Sequence, residues 1–121
     1  MVKTSLLIVD DESDIRSLCT CIVAREFDFE IEQAASLKIA REKLKTFKPD
    51  LVLLDIHLSD GLGFDLIPDL KRANPDVKFL FVTAYNQSEE QKKAVDLGAF
   101  GLLGKPFQAN QLIERLNKMQ Q

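Results

Sequence analysis

Residues 51–55 read Leu-Val-Leu-Leu-Asp, four consecutive apolar residues that end at an acid. Two other stretches also have four apolar residues followed by a polar residue, 6–11 (Leu-Leu-Ile-Val-Asp-Asp) and 79–83 (Phe-Leu-Phe-Val-Thr). Short continuous apolar runs of this kind are typical of strands that are buried on both faces of a parallel sheet. The sequence therefore predicts three central strands, and each of them ends at a polar side chain.

Segments with helical periodicity lie between and after these runs. Apolar residues recur every three or four positions in the segments 12–26, 36–47, 65–73 and 108–119, and a mostly polar helix is predicted over 88–97. Two weaker strands are predicted at 29–32, where apolar and polar residues alternate, and at 100–103. Strands that alternate with helices along the chain pair in parallel through right-handed crossovers. We therefore predict an α/β fold with a doubly wound, five-stranded parallel sheet.

Several residues indicate how the helices begin and end. Ser36 has the short polar side chain that is preferred at a helix N-cap, and Gly98 is typical of a helix C-terminus. Pro68 lies near the start of the third predicted helix, so we expect the first turn of that helix to be irregular. The segment before it contains Gly61 and Gly63 and is predicted to form a tight loop.

The composition is that of an ordinary globular protein. With 121 residues, of which 45% are hydrophobic, we expect a single domain over residues 1–121. The formal net charge of −3 argues against a nucleic-acid surface, which normally carries a basic stripe. The apolar runs are far shorter than the roughly 18 residues that span a bilayer, and the first run is too short for a signal peptide. We expect a cytoplasmic protein without membrane contact.

Cys19 and Cys21 are the only cysteines of the chain. Because they are two positions apart in a predicted helix, their side chains point to different faces, which disfavours a disulfide or a shared metal ion. We expect both cysteines to be small apolar residues in or near the core.

The polar residues at the strand ends form the candidate functional site. Asp10 and Asp11 follow the first strand, and Asp55 follows the third. Thr83 ends the fourth strand, and Lys105 ends the fifth. In doubly wound sheets the carboxyl ends of the strands meet at one edge, where ligands bind. Singly, each residue could be a helix cap, a loop residue or a solvated side chain, but together they predict one site.

Three carboxylates at one sheet edge need positive charge beside them. Two like unit charges about 4 Å apart repel by about 4 kcal/mol at an effective dielectric constant of roughly 20. A hard divalent cation removes that repulsion, and oxygen ligands suit Mg²⁺. A phosphoryl group entering the site would meet the cation, the ammonium of Lys105 and the hydroxyl of Thr83. Asp55, alone at the end of the middle strand, is the candidate nucleophile for an acyl phosphate.

These features resemble the receiver domains of bacterial two-component response regulators over nearly the whole chain. The resemblance is carried by Asp10-Asp11, Asp55, Gly63 eight residues later, Thr83-Ala84 and Lys105-Pro106-Phe107. It implies a flavodoxin-like (βα)5 fold with the strand order 2-1-3-4-5. It also implies signal transduction by phosphorelay, in which the domain is a phosphoacceptor rather than an enzyme.

The resemblance assigns the phosphoryl chemistry to particular residues. It implies that Asp55 is phosphorylated by a sensor histidine kinase or a phosphotransfer protein that carries a phosphohistidine. Asp10, Asp11 and Asp55 would bind Mg²⁺, with help from the backbone carbonyl of His57. Lys105 would pair with the phosphoryl group once it is bound.

The resemblance further implies a conformational switch. Thr83 would hydrogen-bond to the phosphoryl group beside Ala84, and the Lys105–Pro106 peptide bond would be cis. Many receivers carry an aromatic residue three positions before the lysine, and here that position is Leu102. The switch position of this chain therefore lacks the usual aromatic ring, which puts the usual coupling in doubt.

The resemblance implies that two positions beside the site influence the lifetime of the acyl phosphate. They are His57 and Tyr85, two residues after Asp55 and Thr83, and both side chains are large enough to obstruct or orient an attacking water. The resemblance also implies contact with a partner, or self-association, through helix 88–97, the last strand and the last helix. The chain is expected to be a stand-alone regulator or, slightly more often among receivers, part of a longer protein.

Three other functions are open on the sequence. A degenerate receiver would signal through protein contact without phosphorylation, although the intact acids, Thr83 and Lys105 argue against it. An aspartate-nucleophile phosphatase would carry a second aspartate two residues after the nucleophile, where this chain has His57. A nucleotide-binding protein would carry a Gly-rich phosphate loop after its first strand, which this sequence lacks.

Overall fold

The computed structural model describes residues 3–84 and 87–121, which form a parallel sheet with helices on both faces. The elements in chain order are β1 (Ser5–Val9), α1 (Ser13–Glu26), β2 (Glu30–Ala34), α2 (Leu37–Lys43), β3 (Leu51–Leu54), β4 (His57–Leu58), β5 (Gly61–Leu62), a 3₁₀ turn (Gly63–Leu66), α3 (Ile67–Ala73), β6 (Lys78–Thr83), α4 (Ser88–Asp96), β7 (Leu102–Gly104) and α5 (Ala109–Met119). Each predicted strand and helix has a counterpart among these elements.

The main sheet has five parallel strands in the order β2-β1-β3-β6-β7. Because β6 and β7 are its fourth and fifth strands along the chain, this is the order 2-1-3-4-5, and the predicted fold class is confirmed. The central strands end close to one another: Val9 lies opposite Leu54, and Leu54 lies opposite Phe81. The residues that directly follow β1 and β3 are therefore neighbours at the carboxyl edge of the sheet.

The sheet divides the core into two apolar layers. On one face, Leu53 of β3 lies in a cluster with Val23 of α1 and Leu112 of α5. On the other face, Leu54 lies in a cluster with Leu37 of α2 and with residues of α3 and α4. Almost every residue of β1, β3 and β6 is buried, which explains why their sequences are continuous apolar runs.

The predicted bounds of β2, β7 and α2 differ from those in the structure. β2 lies later than predicted, because it pairs with the whole of β1. β7 also begins later, because Gly101 has a φ of 107°, a left-handed value that does not fit a strand. α2 ends at Lys43 rather than at Phe47, and a hydrogen bond from Lys45 N to Glu42 O at 3.2 Å belongs to the turn that follows.

The region between β3 and α3 has more regular structure than the predicted loop. His57–Leu58 and Gly61–Leu62 pair in antiparallel fashion as β4 and β5, a short hairpin. A 3₁₀ turn leads from the hairpin into α3, which has Pro68 in its first turn, so the predicted irregular start of this helix is confirmed. The hairpin begins two residues after Asp55 and therefore borders the candidate site.

Candidate functional site

Buried polar residues mark the carboxyl edge of the sheet. Within residues 3–84 and 87–121, the buried polar or charged residues are Asp10, Asp55 and Thr83, which are 2%, 5% and 0% exposed. All three end or directly follow a central strand. Burying a carboxylate costs free energy unless charges and hydrogen bonds compensate for it. This edge of the sheet is therefore chemically distinct from the apolar core.

Backbone hydrogen bonds extend the sheet by one residue and fix the position of these side chains. Asp10 N donates to the last carbonyl of β2 at 3.1 Å, and Asp55 N donates to the last carbonyl of β1 at 3.0 Å. Lys105 N likewise donates to the carbonyl of Thr83 at 2.9 Å. The peptide bond between Lys105 and Pro106 is cis, as the resemblance implies. The sheet itself, rather than a long loop, thus places the site residues.

The ammonium group of Lys105 lies among three carboxylates. Its Nζ atom is 2.8 Å from Asp10 Oδ2, 3.0 Å from Asp55 Oδ2 and 3.0 Å from Glu12 Oε1. The Lys105 side chain is 8% exposed. Burial alone would lower the pKa of Lys105, but the hydrogen bonds to the three carboxylates outweigh burial and raise this pKa. Lys105 is therefore charged at neutral pH.

The site carries more negative charge than one lysine compensates. Burial raises the pKa of Asp10, although hydrogen bonds from Lys105 and from the backbone N–H of Glu12 oppose this rise. The negative charge of Asp55 adds to it. In Asp55 itself, Oδ2 pairs with Lys105, while Oδ1 is buried and has no hydrogen-bond partner among the described residues. A buried carboxylate oxygen left in this state indicates a place where a ligand binds.

The acids of the site offer donor atoms for a divalent metal ion. One carboxylate oxygen from each of four acids lies within 4.8 Å of the others, and these acids are Asp10, Asp11, Glu12 and Asp55. Asp10 and Asp55 are buried, whereas Asp11 and Glu12 are exposed, so one side of this cluster faces solvent. An all-oxygen set with an open side suits Mg²⁺, which keeps several waters and bridges carboxylates to phosphate. The residues present therefore fit the ion that the sequence predicts.

The other predicted site residues surround this cluster. Ala84 is exposed and directly follows the buried Thr83. His57 is exposed at the start of β4. Leu102 is partly buried and packs against the apolar cluster that Leu54 forms with α2, α3 and α4. Tyr85 lies outside the described residues, so its predicted effect on the lifetime stays a prediction.

Two contacts near the site were not predicted. Glu12 is predicted to start the first helix, and it does precede α1, but its side chain makes no capping bond and reaches Lys105 instead. The run of three acids at residues 10–12 is the only sequence signal for this contact. The second contact joins Asp60 of the hairpin to the start of α2, and no sequence pattern indicates it.

The two cysteines have different environments. Cys19 is buried, and burial together with the negative charge of Asp10 raises the pKa of its thiol to about 12. Cys21 is exposed, so its predicted place in or near the core is wrong. The reason is that residues two apart on a helix differ by about 200° around its axis, so only one of them can face the sheet.

A comparison with protein families agrees with this geometry. Residues 6–117 match the family model of the response regulator receiver domain. Because the match covers most of the chain, the chain belongs to the response regulator receiver domain family.

Similar proteins give the same result. Response regulator SaeR of Staphylococcus epidermidis is 33% identical over 118 residues, which are 96% of this chain and 50% of SaeR. A CheY-like response regulator receiver domain protein from Methanospirillum hungatei JF-1 is 28% identical, with a TM-score of 0.87 over 98% of this chain and 94% of that chain. A response regulator protein from Burkholderia pseudomallei is 25% identical, with a TM-score of 0.84 over 93% and 66% of the two chains.

Family membership defines what class of protein this is. Receiver domains receive phosphoryl groups in two-component phosphorelays, so the predicted class of function is confirmed. The chain spans about half the length of the curated relatives it matches. Within the described ranges, every helix is too short or too polar to cross a lipid bilayer.

Proposed function

We propose that this receiver domain accepts a phosphoryl group on Asp55 from the phosphohistidine of a sensor histidine kinase or a phosphotransfer protein. The observation that carries the proposal is the state of the Asp55 carboxylate. Its Oδ2 lies 3.0 Å from Lys105 Nζ, while its buried Oδ1 has no hydrogen-bond partner among the described residues. One oxygen is thus held by a positive charge, and the other keeps its lone pairs for a bond to a ligand.

In the proposed reaction, an Asp55 carboxylate oxygen attacks the phosphorus atom of the phosphohistidine. The new O–P bond gives an acyl phosphate while the P–N bond breaks, and the imidazole leaves with that electron pair. Lys105 offers its positive charge to the phosphoryl oxygens, and the Thr83 hydroxyl and Ala84 backbone are proposed to hydrogen-bond to them. On this proposal the domain assists its own phosphorylation and dephosphorylation and remains a phosphoacceptor rather than an enzyme with a separate substrate.

Mg²⁺ is part of the proposal. Asp10, Asp11, Asp55 and the backbone carbonyl of His57 are the groups that would hold the ion. When bound, it supplies positive charge that neutralises the carboxylates and the incoming phosphoryl oxygens. Glu12 belongs to the same acidic cluster and contacts Lys105, but the receiver-domain resemblance does not assign it as a metal ligand.

One similar structure contains both a phosphoaspartate and a cation that prefers oxygen ligands. The response regulator protein from Burkholderia pseudomallei contains a phosphorylated aspartic acid, a calcium ion and citrate. Calcium and magnesium are both hard cations that prefer oxygen ligands. That protein therefore provides a precedent for the chemistry proposed here.

We propose that phosphorylation acts on an output surface formed by α4, β7 and α5. Val95 of α4 and Phe100, which lies between α4 and β7, are 66% and 42% exposed, and exposed apolar side chains suit contact with a partner or a second copy. Thr83 ends β6 beside β7, and Leu102 of β7 lies opposite Phe81 of β6. The proposed switch therefore acts through aliphatic packing at Leu102. We propose that this switching takes place in the cytoplasm and involves no direct contact with nucleic acid or membrane.

The lifetime of the acyl phosphate is expected to depend on His57 and Tyr85. Either side chain is large enough to obstruct or orient the water that hydrolyses the acyl phosphate. Acyl-phosphate decay should therefore change in His57→Ala, in Tyr85→Ala or in both. Decay rates that equal the wild-type rate in both variants would remove these residues from the proposal.

Beryllofluoride binding tests the proposal without a kinase. With Mg²⁺ present, fluorine NMR should show one bound beryllofluoride per wild-type chain and none in Asp55→Asn. The matched control is Asp50→Asn, at the other end of the same strand, which should bind like wild type. Absence of binding to the wild-type chain would instead favour a degenerate receiver that acts through protein contact alone. Turnover of simple phosphate esters would favour a phosphatase.

A further inference from the structure

The turn of the β4–β5 hairpin is joined to the start of α2 by one carboxylate. Asp60 Oδ1 accepts a hydrogen bond from Leu37 N at 2.9 Å, and Asp60 Oδ2 accepts one from Lys38 N at 3.0 Å. Both oxygens thus satisfy N–H groups that have no partner inside the helix. The two hydrogen bonds lower the pKa of Asp60, so this carboxylate is ionised at neutral pH.

Asp60 is not the N-cap residue of α2. Ser36 fills that position as predicted, because its Oγ accepts a hydrogen bond from Ile39 N at 3.1 Å. The first turn of α2 therefore has two separate anchors. Ser36 bonds only within α2, whereas Asp60 connects α2 to the β4–β5 hairpin.

On the hairpin side, the segment that contains Asp60 packs against the backbone of Asp55 and Ile56. Gly63 N donates to Ile56 O at 2.6 Å, which draws the far arm of the hairpin back against the residue after Asp55. A Cβ atom at Gly63 would overlap the carbonyl oxygen of Asp55. The backbone on both sides of His57 is therefore closely packed around the phosphoacceptor.

On the helix side, the chain just before α2 is hydrogen-bonded to Asp10. Ala34 O, two residues before Ser36, accepts the backbone hydrogen bond of Asp10 N at 3.1 Å. The hairpin also packs tightly here, because a Cβ at Gly61 would lie 2.8 Å from Leu37 Cδ1. Asp60 thus connects the segment that carries Asp55 with the segment that supports Asp10.

We propose that Asp60 is a positioning residue for the metal and phosphoryl site, because it holds the hairpin that presents the His57 carbonyl at a fixed place relative to Asp10 and Asp55. This inference rests on the proposed function, since it presupposes that the site binds Mg²⁺. Groups that orient metal ligands typically change metal affinity by about 10- to 100-fold when they are removed. Asp60 acts through the backbone and contacts neither the ion nor the phosphoryl group.

Mg²⁺ titration by calorimetry, without any phosphodonor, tests this role. Asp60→Ala should weaken Mg²⁺ binding about tenfold. Asp60→Asn keeps an acceptor oxygen and should bind Mg²⁺ with an intermediate affinity. The matched control is Ser36→Ala, which removes the neighbouring cap of the same helix and should leave the Mg²⁺ affinity unchanged. Amide hydrogen exchange in residues 57–62 should be faster in the Asp60 variants and unaltered in Ser36→Ala.

The outcomes separate this inference from the proposed function. If wild type binds Mg²⁺ and both Asp60 variants bind it equally well, Asp60 has no positioning role. An equal loss of affinity in Ser36→Ala and Asp60→Ala would also overturn the inference, because it would reflect damage to α2 in general. If Asp60→Ala does not fold, Asp60→Asn decides the question. Wild-type protein that fails to bind Mg²⁺ would refute the proposed function as well.

Discussion

Two aspartates at opposite ends of β3 have opposite environments. Asp50 directly precedes the strand and is exposed, and its Oδ2 accepts a hydrogen bond from Ser5 N at 2.9 Å. Asp55 directly follows the strand and is 5% exposed. Its Oδ2 pairs with Lys105, whereas its Oδ1 has no hydrogen-bond partner among the described residues. The aspartates at the two ends of this strand therefore differ in exposure and in hydrogen bonding.

The difference shows that the two edges of the parallel sheet have different roles. The amino edge joins neighbouring strands, whereas the carboxyl edge carries the candidate site. At the amino edge, the Asp50 backbone joins neighbouring strands, since its N–H donates to Ser5 O and its carbonyl accepts from Lys78 N. At the carboxyl edge, several strands bring acids and a lysine into one buried cluster. An incompletely satisfied buried charge costs stability, so a protein is expected to keep one where function requires it.

The largest expected effect is on stability. Substitution of the lysine at the carboxyl edge should cost much more free energy of unfolding than substitution of the lysine at the amino edge. Lys105→Ala leaves buried Asp10 and Asp55 without their cation, so the free energy of unfolding should fall by about 3 kcal/mol in Mg²⁺-free buffer. Lys78→Ala, at the amino edge, removes an exposed hydrogen bond of 3.0 Å to the carbonyl of Gln121. That change should cost less than about 1 kcal/mol.

Urea unfolding of the two lysine variants checks this expectation. Equal losses in the two variants would contradict the claim that buried charge is concentrated at the carboxyl edge.

The acids of the two edges should respond differently to Mg²⁺. At 100 times the dissociation constant, Mg²⁺ should raise the free energy of unfolding of wild type by about 2.7 kcal/mol. Asp11→Asn should need a higher Mg²⁺ concentration for the same gain, because it removes one proposed ligand. Asp76→Asn changes an exposed acid before β6 and should leave the gain unaltered.

Thermal or urea unfolding over a range of Mg²⁺ concentrations measures this response. If Asp76→Asn reduced the Mg²⁺-dependent gain in stability as much as Asp11→Asn does, the gain would reflect weak binding to surface acids in general.

The smallest effect should be a pH dependence that comes from Asp10. Burial raises the pKa of Asp10 above 3.8 in the folded chain, so the folded state binds this proton more tightly than the unfolded state. The contribution of Asp10 to the free energy of unfolding therefore falls as pH rises from 3.8 through the raised pKa. Asp10→Asn should remove that fall.

Urea unfolding of both proteins in Mg²⁺-free buffer, from acidic to neutral pH, measures the difference between them. A difference that grows in favour of wild type as pH rises over this range would contradict the raised pKa.

The carboxyl edge could largely be predicted from the sequence. The runs 6–9, 51–54 and 79–82 end at polar residues, and the polarity of a parallel sheet then requires those residues to meet. The position of Lys105 beside Asp55 follows from the same reasoning, and the structure places the two groups 3.0 Å apart. Their roles in phosphoryl transfer remain proposals.

The contacts that could not be predicted are long-range and depend on exact geometry. Glu12 meets Lys105 across 93 positions, and Asp60 meets Leu37 across 23. Neither pair has a local signature, because the distance between the partners depends on how loops pack after the sheet has formed. The start of β7 was missed for a local reason, since the left-handed φ of Gly101 is not encoded by its hydrophobic neighbours.

Phosphorylation by a small-molecule phosphodonor tests the central claim most directly. The chain would be incubated with acetyl phosphate and Mg²⁺, and the modified residue would be located by peptide mass spectrometry. The account predicts one acyl phosphate, on Asp55, with Asp50 unmodified and with no modification in Asp55→Asn. A chain that stays unmodified, or that carries the phosphoryl group on another residue, would contradict it.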